Sequence, residues 1–330
     1  MSLVPMKQIL EEAMRKQYGV GAYNVNNMEQ IQAIMAAAQA TQSPVIIQAS
    51  RGALKYSNFT YLGYLMMAAS KENPSIPIAM HLDHGNSLDT VKKAIELGFT
   101  SVMIDGSLLE DGKTPSDYGY NVKVTKSVVE YAHKYGVTVE GEIGCLGGIE
   151  DGVGSGSIHI TDPVQAKQFV DDTGLDALAI AIGTSHGAYK FKGSSELAFN
   201  VLKEVRKLVS IPIVLHGASS VPQELIDKVN KFGGKMPGAT GVPMKSLQEA
   251  IKLGVTKINV DTDGRLAITA AIREIFATAP EKFDPRDYLG PARTALQKLI
   301  EGKMKDFWTA GHASDYKQIT IEDMKKVYAK

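Results

Sequence analysis

Three of the seven histidines in this 330-residue chain, His84, His186 and His216, each end a short apolar run. Three imidazole ligands and one open coordination position are the ligand set of a catalytic zinc site. A single histidine at such a place is more often a hydrogen-bonded core or rim residue, whereas three at equivalent places favour a metal. The pattern therefore predicts a divalent metal site, if the fold brings the three runs to one rim.

Carboxylates accompany these histidines. Asp83 directly precedes His84 and is the candidate general acid or base, with orientation of a ligand imidazole as its alternative role. Asp105 ends another apolar run, and Glu140 and Glu142 lie at the end of a further one. These side chains can bind a metal, a substrate or a proton.

Small residues follow two of the three histidines. Gly187 comes after His186, and the segment 217–220 after His216 reads Gly-Ala-Ser-Ser. A third small loop, 259–262, reads Asn-Val-Asp-Thr. Exposed backbone N–H groups and hydroxyls in such loops bind phosphate, with plain tight turns as the alternative. Lys190 is placed to neutralise the same phosphate, or is a solvated surface lysine.

A carbanion next to a carbonyl, as in an aldol reaction, requires an electron sink. Proteins supply either a lysine Schiff base or a metal ion acting as Lewis acid. No lysine ends any of the apolar runs, and Lys257 begins the last run, which places it at the opposite end of the expected barrel. The sequence therefore favours the metal route.

Eight apolar runs carry these residues at or near their ends. They are apolar or β-branched at consecutive positions, as expected for parallel strands that are buried on both faces. The predicted strands are 19–25, 44–50, 77–84, 100–107, 138–144, 177–184, 211–217 and 257–263. Helical patterns lie between them, at 28–40, 87–97, 120–135, 163–172, 195–209 and 244–253.

Eight strands alternating with helices predict an α/β fold, a (β/α)8 TIM barrel with extra C-terminal helices. The barrel is assigned to about 1–280 and the helical extension to about 281–330, within a single domain of 1–330. An open doubly wound sheet is the alternative, but its glycine fingerprint is absent after the first predicted strand. In a TIM barrel the carboxyl ends of the strands build the active site, where all the residues above would meet.

Composition restricts the class of partner and the compartment. The 36 basic and 36 acidic residues give no net charge, which argues against nucleic acid or an anionic membrane as the main partner. The chain has one cysteine, so no intrachain disulfide can form and a reducing compartment is expected. No apolar run approaches the length of a membrane span. The expected location is the cytoplasm.

The motifs resemble those of class II fructose-bisphosphate aldolases, nearly over the whole chain and in order. They are His-Leu-Asp-His-Gly at 81–85, Val-Glu-Gly-Glu-Ile-Gly at 139–144, Gly-Gly-Ile-Glu-Asp-Gly at 147–152, Gly-Thr-Ser-His-Gly at 183–187, Val-Leu-His-Gly-Ala-Ser at 214–219 and Asn-Val-Asp-Thr-Asp at 259–263. The resemblance implies reversible cleavage of fructose 1,6-bisphosphate into dihydroxyacetone phosphate and glyceraldehyde 3-phosphate.

The resemblance also implies roles for the polar residues. His84, His186 and His216 would hold the catalytic Zn²⁺, and Asp105 and Glu142 match positions that take a second divalent metal. Asp83 would remove the proton of the C4 hydroxyl during cleavage. The positions that match residues around the triose phosphate are Gly187, Lys190, Gly217, Ser219, Asn259, Asp261 and Thr262. Asn24 and Ser50 match residues near the other half of the substrate.

Three further residues are assigned by resemblance alone. Glu150 lies on a glycine-rich loop where relatives place an acid that handles the proton at C3, although relatives often have two acids there and this chain has Ile149 before Glu150. Arg265 and Arg286 match arginines that bind the distal phosphate, the second from a neighbouring subunit. Relatives also bind a monovalent cation, Na⁺ or K⁺, and form homodimers or homotetramers.

Three other functions remain open from the sequence. Tagatose-1,6-bisphosphate aldolase shares the zinc and the aspartate, and Arg265 favours fructose over it. A metal-dependent sugar-phosphate epimerase would use the same barrel without cleaving a carbon–carbon bond. A barrel used only for binding is disfavoured, because it would have no reason to keep metal ligands at its strand ends.

Overall fold

A computed structural model describes residues 2–148, 158–189 and 197–330 of the chain. Two residues of the predicted site, Glu150 and Lys190, lie outside the described residues.

The strands form one closed parallel barrel in sequence order, in which β1 pairs with both β2 and β8. This confirms the predicted TIM barrel. The strands are β1 (Val20–Asn24), β2 (Val45–Ser50), β3 (Ile78–Gly85), β4 (Ser101–Ile104), β5 (Thr138–Ile143), β6 (Ala177–Ile180), β7 (Ile213–Leu215) and β8 (Val255–Val260).

Helices surround the barrel and follow it. In the described residues they are α1 (Met6–Lys16), α2 (Met28–Thr41), α3 (Arg51–Ser57), α4 (Phe59–Glu72), α5 (Leu88–Glu96), α6 (Tyr118–Ala132), α7 (Pro163–Thr173), α8 (Phe199–Leu208), α9 (Gln223–Lys231), α10 (Met244–Lys252), α11 (Thr262–Thr278), α12 (Pro285–Asp306) and α13 (Ile321–Tyr328). The six helices predicted between strands are present, with ends shifted by a few residues.

Local sequence explains several helix ends. The Ser87 hydroxyl accepts from the Thr90 N–H at 3.3 Å and caps α5, and Gly98 follows that helix with a left-handed φ of 88°. The Asp284 side chain caps α12, whose first residue is Pro285. A second proline, Pro291, lies inside this helix.

The barrel interior changes from apolar to polar along its axis. At the end formed by the amino ends of the strands, small residues such as Ala22, Ala79 and Ala177 pack in one cluster with Ile9 and Leu10 of α1. At the other end the buried residues are polar, and they include His81, Asp83 and Glu140. Helix α1 therefore packs against the apolar end and leaves the carboxyl ends of the strands as the place for a site.

The C-terminal helices join the barrel closely. Helix α12 packs against α2 and α11, and Phe307 just after it is fully buried. Among the residues that the structure describes, none of the helices has both the length and the apolar character needed to cross a bilayer.

Candidate metal and active site

A cavity opens at the carboxyl ends of the strands, as the sequence predicted. Its lining combines predicted site residues from several strands and the loops that follow them. These residues are Asn24, Ser50, Asp83, His84, His186, Gly217, Ala218, Ser219, Asn259 and Asp261.

Asp83 and His84 are neighbours on β3, yet both line this cavity. Consecutive residues of a regular strand point to opposite faces. His84 has a left-handed φ of 50°, and the pairing of β3 with β4 shifts register between Leu82 and Gly85. This irregularity turns the His84 side chain inward beside Asp83. A non-glycine residue in that conformation is costly and is typical of functional sites.

His84 and His216 meet directly below the cavity. The His216 Nδ1 lies 2.9 Å from the His84 Nε2, and the two ring centroids are 4.7 Å apart. On its other side, the His216 Nε2 lies 2.6 Å from a carboxylate oxygen of Glu140, which is fully buried in β5. A carboxylate bound to the far nitrogen of an imidazole fixes the orientation of the ring, as is usual for metal ligands.

His186 reaches the same place from a loop. The sequence predicted that it ends a strand, but β6 ends at Ile180 and His186 lies six positions later. Its ring centroid is 5.1 Å from that of His84. The structure therefore brings the rings of His186 and His216 to the same imidazole, that of His84.

Asp105 and Glu142 form a second group with His84. The His84 Nδ1 lies 2.8 Å from the Asp105 Oδ2, and the Ser107 hydroxyl donates to the Asp105 Oδ1 at 2.6 Å. Burial would raise the pKa of Asp105, but the hydrogen bond and charge of His84 outweigh it and lower that pKa to about 2. Burial, reinforced by the charge of Asp105, raises the pKa of Glu142.

Electrostatics in this cluster favour a cation. Burial alone would lower the pKa of His84, but the charges of Asp83 and Asp105 raise it to about 10. Burial and the neighbouring His84 lower the pKa of His216. The charges of Asp83 and Asp105 thus stabilise positive charge at the His84 position within this buried cluster.

The donor set fits a divalent metal ion. Asp83, His84 and His216 each offer a donor atom within 4.8 Å of the others, and so do His84, Asp105 and Glu142. Among the described residues, the buried Oε2 of Glu142 has no hydrogen-bond partner. Nitrogen donors beside carboxylate oxygens are the ligands of zinc and related metals. Among the residues that the structure describes, His186 belongs to neither of these groups of close donors.

Two amides hold the Asp83 carboxylate. The Asn24 side chain donates to one oxygen at 3.0 Å, and the Asn259 side chain donates to the other at 3.2 Å. Gln48, fully buried in β2, donates to the Asn24 carbonyl oxygen at 2.6 Å. The carboxylate is thus oriented from β1 and β8, and Asn24 is itself fixed from β2.

The β7 loop, residues 216–221, contributes backbone and a hydroxyl to the cavity. Gly217 has a left-handed φ of 59°, and a Cβ there would lie 2.6 Å from the Ser185 carbonyl oxygen. The Ser219 Oγ accepts from the Asp261 N–H at 3.2 Å. Glycine is required at 217 because the β7 loop touches the backbone beside His186 there.

The residues that follow β8 lie beside this loop. Arg265 forms two bonds to the Asp261 carboxylate, at 2.7 and 2.5 Å, and Thr262 is the buried first residue of α11. Gly187, after His186, has a left-handed φ of 83°. Arg286 lies away from the cavity, at the start of α12, where its side chain is 89% exposed and pairs with Asp284.

The prediction that Lys257 lies at the opposite end of the barrel is wrong. Strand β8 begins at Val255, so Lys257 lies within it and is fully buried. Its Nζ is 3.0 Å from the Glu140 Oε2 and 2.8 Å from the Asn259 Oδ1. Strand alternation could have revealed this, because Lys257 and Asn259 are two apart and share a face. Lys257 therefore neutralises the carboxylate that orients His216.

The chain resembles known proteins over almost its full length. It matches the family described as Fructose-bisphosphate aldolase class-II over residues 4–312. It is 54% identical over 330 residues to the fructose-bisphosphate aldolase of Giardia intestinalis, an alignment that covers 99% of this chain and 100% of that protein. It is 51% identical over 346 residues to the fructose-bisphosphate aldolase class 2 of Synechocystis sp., which covers 100% of this chain and 96% of that protein.

A solved structure gives the same result. The crystal structure of the YdjI aldolase from Escherichia coli K12 has a TM-score of 0.77 at 30% sequence identity, and the match covers 94% of this chain and 100% of that one. The family predicted from the motifs is confirmed, and with it a carbon–carbon lyase class that depends on a divalent metal. This chain belongs to the class II fructose-bisphosphate aldolase family.

Proposed function

We propose that this protein catalyses the reversible aldol cleavage of fructose 1,6-bisphosphate to dihydroxyacetone phosphate and glyceraldehyde 3-phosphate, in the cytoplasm. The observation that carries the proposal is that Asp83, His84 and His186 line one cavity at the carboxyl ends of the barrel strands, with His216 in contact with His84. Family membership supports the reaction class.

His84, His186 and His216 would hold the catalytic zinc. When bound there, the ion acts as a Lewis acid that polarises the ketone oxygen of the substrate. Asp105 and Glu142 would hold a second or alternative divalent metal, for which the close approach of their oxygens to His84 is the support. A monovalent cation, Na⁺ or K⁺, would bind backbone oxygens near the phosphate.

Asp83 would act as the base during cleavage. It takes the proton of the C4 hydroxyl, the C3–C4 bond breaks, and its electron pair stays with the dihydroxyacetone phosphate half. Glu150 would then return a proton to C3. The hydrogen bonds from Asn24 and Asn259 support this role because they aim both Asp83 oxygens into the cavity.

The substrate would lie across the mouth with a phosphate at each end. Around the triose phosphate we place residues of the loops after β6, β7 and β8, namely Gly187, Lys190, Gly217, Ser219, Asn259, Asp261 and Thr262. Asn24 and Ser50 would contact the other half. Arg265 and Arg286 would bind the distal phosphate. The preference for fructose over tagatose bisphosphate rests on the family resemblance at Arg265, whose side chain pairs with Asp261 in this structure.

A homodimer or homotetramer would complete the site. Arg286 is outside the cavity lining of its own chain and its side chain is 89% exposed, which leaves it accessible to a neighbouring subunit. An isologous pair of subunits would exchange these arginines reciprocally.

The test is a coupled aldolase assay with metal analysis. We expect one tightly bound zinc ion per subunit. Chelation should abolish cleavage, and added zinc should restore it. Fructose 1,6-bisphosphate should be cleaved faster than tagatose 1,6-bisphosphate at equal concentration. Borohydride added with substrate should leave the enzyme unmodified.

Two results would contradict the proposal. Full activity after complete removal of metal would exclude the metal as electron sink. Covalent trapping by borohydride, with a modified peptide that contains Lys257, would show that the buried lysine forms a Schiff base.

A further inference from the structure

The last residue of the motif at 259–263, Asp263, is fully buried and takes no part in the proposed reaction. It lies in the first turn of α11, and its carboxylate binds two consecutive backbone N–H groups of the β7 loop. The Ser220 N–H donates at 2.9 Å and the Val221 N–H at 2.6 Å. Asp263 thus fixes the backbone of the segment that also contains Gly217 and Ser219.

The C-terminal extension supplies the partner of this carboxylate. The Nζ of Lys303, on α12, lies 2.5 Å from the Asp263 Oδ2 and donates to the Ser220 hydroxyl at 2.9 Å. Lys303 is 2% exposed. Burial would raise the pKa of Asp263, but the charge of Lys303 outweighs it and lowers that pKa. Asp263 is therefore an anion in the folded protein, and Lys303 neutralises it.

A buried ion pair is a poor way to stabilise a fold. Removing two charges from water costs several kcal/mol, and apolar residues of the same size often stabilise a protein more. The pair instead orients the backbone of the β7 loop, because the Asp263 carboxylate accepts from two adjacent N–H groups of that loop. Val221 has a left-handed φ of 47°, which a branched side chain rarely adopts and which surrounding contacts must enforce.

The same segment faces the cavity. Gly217 and Ser219 line it, and the Ser219 carbonyl oxygen accepts from the Val242 N–H at 3.0 Å on the outer side. A Cβ at Gly241 would lie 2.5 Å from that carbonyl oxygen, so two segments of backbone are in close contact there. The conformation of the β7 loop is therefore fixed, on the side away from the cavity, by α11, α12 and the segment that contains Gly241 and Val242.

We propose that Asp263 and Lys303 are positioning residues, which hold the β7 loop in the conformation that binds an anionic phosphate of the substrate. The identification of that anion as a substrate phosphate rests on the proposed function. Helix α12 is thereby part of the anion-binding apparatus, although neither residue lines the cavity.

The test compares Lys303→Met with Lys303→Arg and with a matched control. Methionine keeps the length of the buried stem and removes the charge, whereas arginine keeps the charge. Lys7→Met is the control, because the Lys7 Nζ also lies 2.9 Å from a buried aspartate, Asp176, at the opposite end of the barrel. The readouts are KM and kcat for bisphosphate cleavage, the Kd of inorganic phosphate by calorimetry, zinc content and Tm.

We expect Lys303→Met to raise both KM and the phosphate Kd about tenfold while kcat changes less than about threefold and zinc content is unchanged. Lys303→Arg should retain most of the affinity. Lys7→Met should lower Tm but leave both constants within about twofold. Equal constants for Lys303→Met and wild type, with only Tm lowered, would overturn the proposal.

A milder variant covers the case in which Lys303→Met does not fold. Ser220→Ala removes the hydroxyl that contacts both Lys303 and Asp263 and keeps the ion pair, and we expect a phosphate Kd raised about threefold. An unchanged Kd would overturn the proposal, as would a wild-type enzyme that does not bind phosphate. If the wild type binds phosphate but cleaves no bisphosphate, the proposed function fails while the Kd values still decide the role of the pair.

Discussion

At the scale of single residues, the site depends on one irregular backbone position. The left-handed conformation of His84 allows two adjacent residues of β3 to face the same cavity. One of them is bonded to His216 and Asp105, and the other to two asparagine amides. The proposed mechanism assigns metal binding to His84 and proton transfer to its neighbour Asp83.

Replacing Asp83 tests this separation. Asp83→Ala should lower kcat about 10²- to 10⁴-fold, because a positioned base is lost, and should leave bound zinc unchanged. The measurements are kcat and zinc content by metal analysis. Asp89→Ala, at a solvent-exposed carboxylate on α5, is the control and should change neither. Loss of zinc from Asp83→Ala would mean that Asp83, which lies within ligand distance of His84 and His216, is a ligand.

At the scale of elements, the loops after β6 and β7 must touch for the site to form. Gly217→Ala should destabilise the protein by about 2–4 kcal/mol, because the added Cβ meets the Ser185 backbone and the φ is left-handed. Gly174→Ala is the matched control, since Gly174 has a φ of 69° with nothing within 4 Å. It should cost only about 1 kcal/mol.

Urea midpoints of both variants measure the difference, and KM shows its effect on the site. Gly217→Ala should also raise KM, whereas Gly174→Ala should not. Equal destabilisation by the two substitutions would show that the loops have room to separate.

The opposite end of the barrel has its own charged cluster. Asp176, just before β6, accepts from the Val139 N–H at 2.9 Å and pairs with Lys7 and His133 at 2.9 Å each. Burial would raise the pKa of Asp176, but the His133 hydrogen bond and the Lys7 charge outweigh it and lower that pKa below its usual 3.8. The stabilisation from this group is therefore present above the unfolded pKa and is lost as the pH falls through the folded one.

Asp176→Asn should reduce the free energy of unfolding by about 1–3 kcal/mol at pH 7. The gap between wild type and variant should shrink below about pH 4, as the wild-type carboxylate becomes protonated. Urea titrations across this range measure it. Asp171→Asn, at an exposed ion pair with Lys167, is the control and should have little effect at any pH. A gap that is independent of pH would contradict the argument.

At the scale of the whole molecule, the site uses parts of the chain that are far apart. Helix α12 carries Lys303 near its end and Arg286 near its start. The first is buried against the β7 loop, and the second is exposed. In the proposed assembly, Arg286 would serve a neighbouring subunit. Assembly and substrate binding would then be linked through one helix.

Mixing two inactive variants tests the shared site. Asp83→Ala and Arg286→Ala subunits should each form assemblies of low activity. In a mixed dimer, one of the two sites receives an intact Asp83 and an intact partner arginine, so random reassembly should restore about a quarter of wild-type activity. Activity that stays at the level of the separate variants would show that Arg286 does not serve a neighbouring site.

Much of the fold and the site follows from sequence alone. Consecutive apolar positions predicted eight parallel strands, and the order of polar residues at their ends predicted that Asp83, His84 and Asn259 face one cavity. The prediction succeeds because a parallel barrel places the carboxyl ends of all strands at one end. The position of a residue along its strand therefore predicts how far it lies from that end. The resemblance of the motifs to a known family predicted the type of reaction.

The tertiary structure decided what strand position cannot encode. The inward turn of His84 requires a register shift between two strands, and the burial of Lys257 depends on where β8 begins in the closed barrel. The contact of Lys303 with Asp263 joins residues 40 positions apart through helix packing. Local sequence determines which residue types can react, whereas the packing of distant segments determines which of them are held in place and how.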